Sequence, residues 1–393
     1  MTAHPALSRR SFATGALLGA AAGLLPSAPA GATAPAPAPA GATAPAPARS
    51  RTRSEPGPGP LLRLPAPTGP HPVGLRTVHL TDPSRTDPWA GGARELMLTV
   101  LYPARTVRGF PRAPQLTPAE AVLFADLAPH VRPGLPGPGA VDWGAVLTHG
   151  HVGAPALPGR RPVVLYTPGG GDSRTLGTSL AEDLASHGRI VVLVDHPGDA
   201  TQVELPTGMR PTVLLGPPSP ETVRTMIDTR IADLRHVLDR LGELPLAPVM
   251  DRRRIGVCGH SAGGTAAVYA AHGDRRIRAV ANLEGYLDLA PLDGFDRPLL
   301  LLRTDGFEGA ARIESSWAGL PGRRALLTGA NHWAFTDYAA FVPRLQAAGL
   351  VTPAARAGLV GPGDGDAAMA SVRHRVGGFL ARALPPAVAR HRP

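Results

Sequence analysis

From Pro162 onward the chain alternates between two hydrophobic rhythms. Short apolar runs recur at Pro162-Val163-Val164-Leu165-Tyr166, Arg189 to Asp195, Arg254 to Cys258, Ile277 to Leu283 and Pro298 to Leu302, with a weaker one at Ala325-Leu326-Leu327. Their length and aliphatic content predict buried strands. Between them lie stretches with helical spacing. Residues 175–187 form one, and 368–382 form an amphipathic helix near the end. Residues 221–241 place Val223, Met226, Ile227, Ile231, Leu234, Val237, Leu238 and Leu241 on one stripe and predict a helix with its charges on the opposite face. Continuous apolar strands alternating with helices predict an α/β fold, a mostly parallel central sheet with helices on both faces. In such sheets functional groups gather at the carboxyl ends of the strands.

Upstream the rhythm is weaker. Gly74 to Leu80 and Leu96 to Tyr102 alternate loosely and read as an antiparallel edge pair. Residues 104–159 are rich in Pro and Gly, with one helical stretch at Pro118 to Leu127. An insertion of that length is either a flap over a site or a surface excursion. Before it, Ser8-Arg9-Arg10-Ser11-Phe12, an apolar stretch to Leu25 and small residues near Ala30 predict an export signal over 1–32, of the twin-arginine kind. An Ala/Pro tract repeats at Ala30–Ala38 and Ala40–Ala48, so residues 33–60 are expected to be an extended linker. The catalytic domain is then expected over 61–393, and the protein is expected to be secreted.

Composition changes this picture little. The single cysteine, Cys258, allows no internal disulfide, and its apolar run marks it as a buried small hydrophobe rather than a nucleophile. The net charge of +10 is carried by arginine alone. Those arginines are scattered, aromatic content is 4 %, and no nucleic-acid-binding motif is present, which argues against a nucleic-acid partner.

The chemistry centres on Gly259-His260-Ser261-Ala262-Gly263, which ends an apolar run and precedes the alanine-rich stretch Thr265 to His272. Strand, sharp turn and helix with serine at the apex is the G-x-S-x-G nucleophile elbow of an α/β-hydrolase. With 47 glycines in the chain the motif needs support from its context. A serine alcohol needs an adjacent base, and the order Ser, acid, His places that base downstream. His272 and His374 fall in helical stretches and His391 in the tail. His332, in a loop just past the last strand, is the candidate base. Two carboxylates end strands, Glu284 and Asp305, and Asp288 lies slightly farther on. The commoner layout favours Asp305. The oxyanion hole needs the Ala262 N–H and a donor from an earlier loop, for which Gly169-Gly170-Gly171 is suited. That loop lacks the G-x-G-x-x-G and G-K-[ST] patterns of nucleotide sites.

Several blocks together resemble the platelet-activating factor acetylhydrolase family, the plasma type and its bacterial relatives. They are Pro162 to Gly171 followed by Arg174-Thr175, Asp183 to Gly188, Arg230 to Asp239, the Gly-His-Ser elbow, and Asn282-Leu283-Glu284-Gly285. The resemblance implies a calcium-independent serine esterase releasing short acyl chains, in its best-known members from the sn-2 position of phospholipids. It places the acid at Glu284, where the family usually has Asp, and the early oxyanion donor at Gly170. Pro168 departs from the His that often precedes the glycines. The expected site is therefore Ser261, Glu284 and His332, with Gly170 and Ala262 as backbone donors, and no cofactor or metal. Its partner is a small-molecule or lipid ester, with transient contact to a lipid interface, and the chain is expected to act as a monomer. Trp333 and Phe335 are either acyl-pocket residues or core. Two other readings are a secreted polyesterase or cutinase-like lipase, with its acid after the later strand, and a non-catalytic hydrolase-like binding protein.

Overall fold

The computed structural model describes residues 60–385, so the expected export signal and nearly all of the expected linker lie outside the described residues. Strand β1 (Val73–Thr86) pairs antiparallel with β2 (Ala93–Pro103). The insertion then contributes β3 (Arg112–Pro114), helix α1 (Pro118–Val131) and β4 (Leu147–Val152). Next come β5 (Arg161–Thr167), α2 (Thr178–Ser186) and β6 (Ile190–Val194). A separate hairpin, β7 (Gln202–Leu205) and β8 (Gly208–Pro211), leads into α3 (Pro220–Arg240). The elbow region follows as β9 (Met250–His260), α4 (Ala262–Gly273) and β10 (Ile277–Leu283). After β11 (Leu299–Thr304), α5 (Ala310–Ser316) and β12 (Arg323–Leu327), the described chain ends with α6 (Tyr338–Ala347), α7 (Pro353–Leu359) and α8 (Gly365–Ala383).

Ten strands form one sheet in the order β12-β11-β10-β9-β5-β6-β2-β1-β4-β3, parallel from β12 to β6. Both faces are covered, and the side chains show it. Along β5, Val164 and Tyr166 enter one core and Val163 and Leu165 the other; β6 divides the same way. Helices α2, α6 and α8 close the first face, and α3 and α4 the second. A strand buried on both faces must read as a continuous apolar run, which is why these strands stand out in the sequence. The protein has the α/β-hydrolase fold.

Three expectations need correction. First, β1 and β2 do not form the sheet edge: β4 pairs with β1, and β3 with β4, so the insertion supplies the edge. Second, the insertion is not a surface excursion, and its residues His130 to Pro133 line a cavity at Gly170. Phe124 and Trp143 meet edge to face at 4.9 Å, and Trp143 packs on Phe341 of α6 at 6.1 Å, so the segment is anchored in the core. Third, α3 does not turn all its charges to solvent. Arg230, Asp233 and His236 are buried and face the strand ends.

Candidate active site

The elbow is built by close approach. Ser261 sits between β9 and α4 at φ 53°, ψ −122°, a conformation that costs a non-glycine residue about 1–3 kcal/mol. A Cβ on Gly259 would lie 2.3 Å from the Gly263 oxygen, and one on Gly263 2.1 Å from the Thr167 oxygen. Neither position can carry a side chain. The Ser261 N–H donates to the Leu283 carbonyl at 2.8 Å, tying the apex to the end of β10. Ala262, first residue of α4, has no intrahelical partner for its N–H, which lies at the positive end of the helix dipole.

Immediately past β10, Glu284 is fully buried and also has a left-handed backbone, φ 60°. Its Oε1 accepts from the Thr304 N–H (2.6 Å) and hydroxyl (2.8 Å), and its Oε2 lies 2.8 Å from Nδ1 of His332. His332 opens a short 3₁₀ turn, and its N–H donates to the Asn331 side chain at 2.7 Å. Its carbonyl accepts from Nε2 of His260 at 2.9 Å, while Phe307 stacks on its ring at 4.2 Å. The imidazole is thus held by Glu284 at Nδ1 and by ring contacts with Phe307, Trp333 and His260. The carboxylate of Asp305 instead accepts from the N–H groups of Gly329 (2.9 Å) and Ala330 (3.2 Å), which hold it below the usual carboxylate range. It braces the loop that carries His332. Asp288 is exposed and paired with Arg312 at 2.7 Å.

The loop after β5 is aimed by its carbonyls. Those of Pro168 and Gly169 accept from Arg230 (3.0 Å to Gly169), that of Gly170 from Arg132 (2.8 Å), and that of Gly171 from the Thr201 hydroxyl. A trans peptide points its N–H opposite its C=O. With the Gly169 carbonyl held by Arg230, the Gly170 N–H faces away from that arginine. Gly170 lines the same small pocket as Ser261 and Ala262. Each arginine is buried and neutralised, Arg230 by Asp199 (2.7 Å) and Arg132 by Asp172 (2.6 Å). Burial alone would raise Asp172, but Arg132 and then His260 hold it below its ordinary value. His260 is itself shifted down by burial.

Two cavities meet at Gly170. A small apolar pocket of about 30 Å³ lies beside Ser261, Ala262, Met226, Ile227 and Tyr286. A groove of about 370 Å³ is lined by Arg132, Leu214, Trp333 and Leu359. Trp333 therefore faces a cavity, whereas Phe335 is buried against His260 with rings 5.8 Å apart. Cys258 is buried, which pushes its thiol up to about 12. Among the described residues, no group of three His, Cys, Asp or Glu side chains converges as a metal site would require.

No family model matches the chain. A probable 1-alkyl-2-acetylglycerophosphocholine esterase from Arthroderma benhamiae is 30 % identical over 274 residues, 65 % of this chain and 68 % of that protein. The chain belongs to the platelet-activating factor acetylhydrolase family. The ferulic acid esterase from Streptomyces cinnamoneus, a solved structure, is similar with 36 % identity and a TM-score of 0.68, over 85 % of this chain and 96 % of that one. This acetylhydrolase-family protein is a carboxylic ester hydrolase.

The structure brings Ser261, Ala262 and Gly170 to one pocket and joins Glu284 to His332. Sequence reasoning missed the residues that hold this family member's Gly169–Gly171 loop. Arg230 carried a signal, since it lies in a block shared with the family, but its helix was read as having a solvated charged face. Arg132 carried none: it sits in the Pro/Gly-rich insertion, where no periodicity marks it.

Proposed function

We propose that the chain is a secreted serine esterase that releases short acyl groups through an acyl-enzyme on Ser261. The observation that carries this reading is the buried Glu284–His332 pair at 2.8 Å, adjoining a serine on a strained elbow. With Nδ1–H donated to Glu284, Nε2 keeps the lone pair needed to accept a proton. His332 takes the Ser261 hydroxyl proton as Oγ attacks the ester carbonyl. The tetrahedral oxygen is held by the N–H groups of Gly170 and Ala262. His332 then gives its proton to the departing alcohol, and water, activated the same way, releases the acid and restores Ser261. Glu284 fixes the imidazole and offsets its positive charge. The export signal read at residues 1–32 supports secretion.

Labelling by a fluorophosphonate tests the reading. The full chain is expected to be labelled, and Ser261→Ala to lose labelling together with at least about 10³-fold in kcat. A Ser261→Ala protein that still reacts, or a folded wild type that never does, would end the proposal. A second reading, an aromatic acyl group, is favoured by the similarity to a ferulic acid esterase. Comparing methyl ferulate with an acyl-length series of p-nitrophenyl esters and a short-chain phospholipid separates the two.

A further inference from the structure

The two cavities at Gly170 divide an ester unequally, and His332 determines which half goes where. The oxygen of the departing alcohol must receive the proton from His332. The alcohol therefore leaves on that residue's side. Trp333 follows His332 directly, meets its ring edge to face at 5.1 Å, and lines the larger groove. The small pocket shares Gly170 with the groove and is otherwise bordered by Ser261, Ala262 and Tyr286, and Trp333 does not line it. A space of about 30 Å³ holds little more than one or two waters before the walls move.

From this division, which rests on the esterase reading above, we infer that the groove between the insertion and α7 is the alcohol subsite and that it takes a bulky, neutral, apolar alcohol. Its charge balance supports the second part. The one guanidinium in its wall, Arg132, already bonds Asp172 and the carbonyls of Val131 and Gly170 and lies over Trp333 at 4.6 Å. That leaves His130 at the rim as the remaining titratable group among the lining residues. A phosphate in this groove would meet only an arginine whose charge is already paired with Asp172 and whose one nitrogen without a partner, Nε, is buried. The walls, Val131, Leu214, Trp333 and Leu359 among them, instead offer apolar surface.

Two glycines allow the groove to be filled without crowding the fold. Gly358 of α7 and Gly216 of the opposite wall are exposed, line the groove, and would place a Cβ within 4 Å of nothing. In Gly358→Phe and Gly216→Leu, the kcat/KM ratio of naphthyl acetate to ethyl acetate is expected to fall about tenfold. The ratio of p-nitrophenyl hexanoate to p-nitrophenyl acetate is expected to change less than twofold. Loss that follows acyl length, or an unchanged alcohol ratio in both variants, overturns the assignment. In the unaltered chain, a neutral 1-alkyl-2-acetylglycerol is expected to react at least as fast as its phosphocholine counterpart. A tenfold preference for the phosphocholine ester overturns the claim of neutrality. Fluorophosphonate labelling of Ser261 in the same samples keeps the two ideas apart: without it the esterase reading fails, and with it only the groove is on trial.

Discussion

At the ends of β5 and β6, the hydroxyl of Thr167 lies 2.8 Å from Nε2 of His196, whose Nδ1 lies 2.9 Å from Asp233. At the ends of β9 and β10, His332 Nδ1 lies 2.8 Å from Glu284, with Ser261 at the neighbouring apex. By distance alone the first set is a complete hydroxyl, imidazole and carboxylate series. What separates them is access and backbone. Thr167, His196 and Asp233 are each 0 % exposed, and Asp233 is also held by Arg94 at 2.8 Å. Thr167 lies in a regular strand, whereas Ser261 is half-buried on a left-handed turn beside a pocket and the N-terminus of α4. The buried set ties α3 to the sheet, and α3 in turn presents Arg230 to the carbonyls of the loop after β5. A candidate triad is thus weighed by what surrounds its hydroxyl as well as by its distances.

The sharpest break in this comparison would come from the carboxylates. Glu284→Gln is expected to lower kcat/KM on p-nitrophenyl acetate by about 10³–10⁴-fold, because the imidazole loses its orienting charge. Asp305→Asn should change it only a few-fold. The opposite ranking would mean that the observed pair is not the working one. Asp233→Ala should act on stability instead, costing about 3–5 kcal/mol in urea unfolding because it leaves His196 without its carboxylate and Arg94 with Asp87 as its one buried anion. Its folded fraction should still take up fluorophosphonate at Ser261. Loss of labelling with unchanged stability would make the buried set catalytic.

The smallest effect concerns pH. Burial, then Arg230, holds His196 below the ordinary imidazole value of 6.5. Below that pH the unfolded chain gains a proton that the folded chain resists. Stability from a neutral His196 is therefore complete above pH 6.5 and declines as the pH falls. The stability difference between wild type and His196→Asn should shrink by about 1 kcal/mol between pH 8 and 5.5. A difference that grows on acidification would mean that His196 is charged in the fold.

The parts of this molecule that could be read from the sequence are those governed by local rules. Runs such as Ile277 to Leu283 coincide with β10 because a doubly buried strand needs unbroken apolar character. The elbow was legible because close backbone approach admits only glycine at 259 and 263. His332 could be singled out as the one downstream histidine in a loop after a strand. Glu284 was different. Strand ends offered both carboxylates, the commoner layout favoured Asp305, and only the family resemblance favoured Glu284. The short strands β3 and β4 could not be seen, since their edge pairing depends on where β1 lies.

The sequence by itself determined the α/β order, the identity of the apex serine and a short choice of partners for it. Those features follow from backbone sterics and from the burial of contiguous residues. Tertiary structure alone decided that Glu284 rather than Asp305 reaches His332 and that the insertion completes the sheet. It also brought Arg132 and Arg230, 98 positions apart in the chain, to adjacent carbonyls of one loop. Such contacts join residues distant in sequence, and their geometry is fixed only once both hydrophobic cores have closed around the sheet.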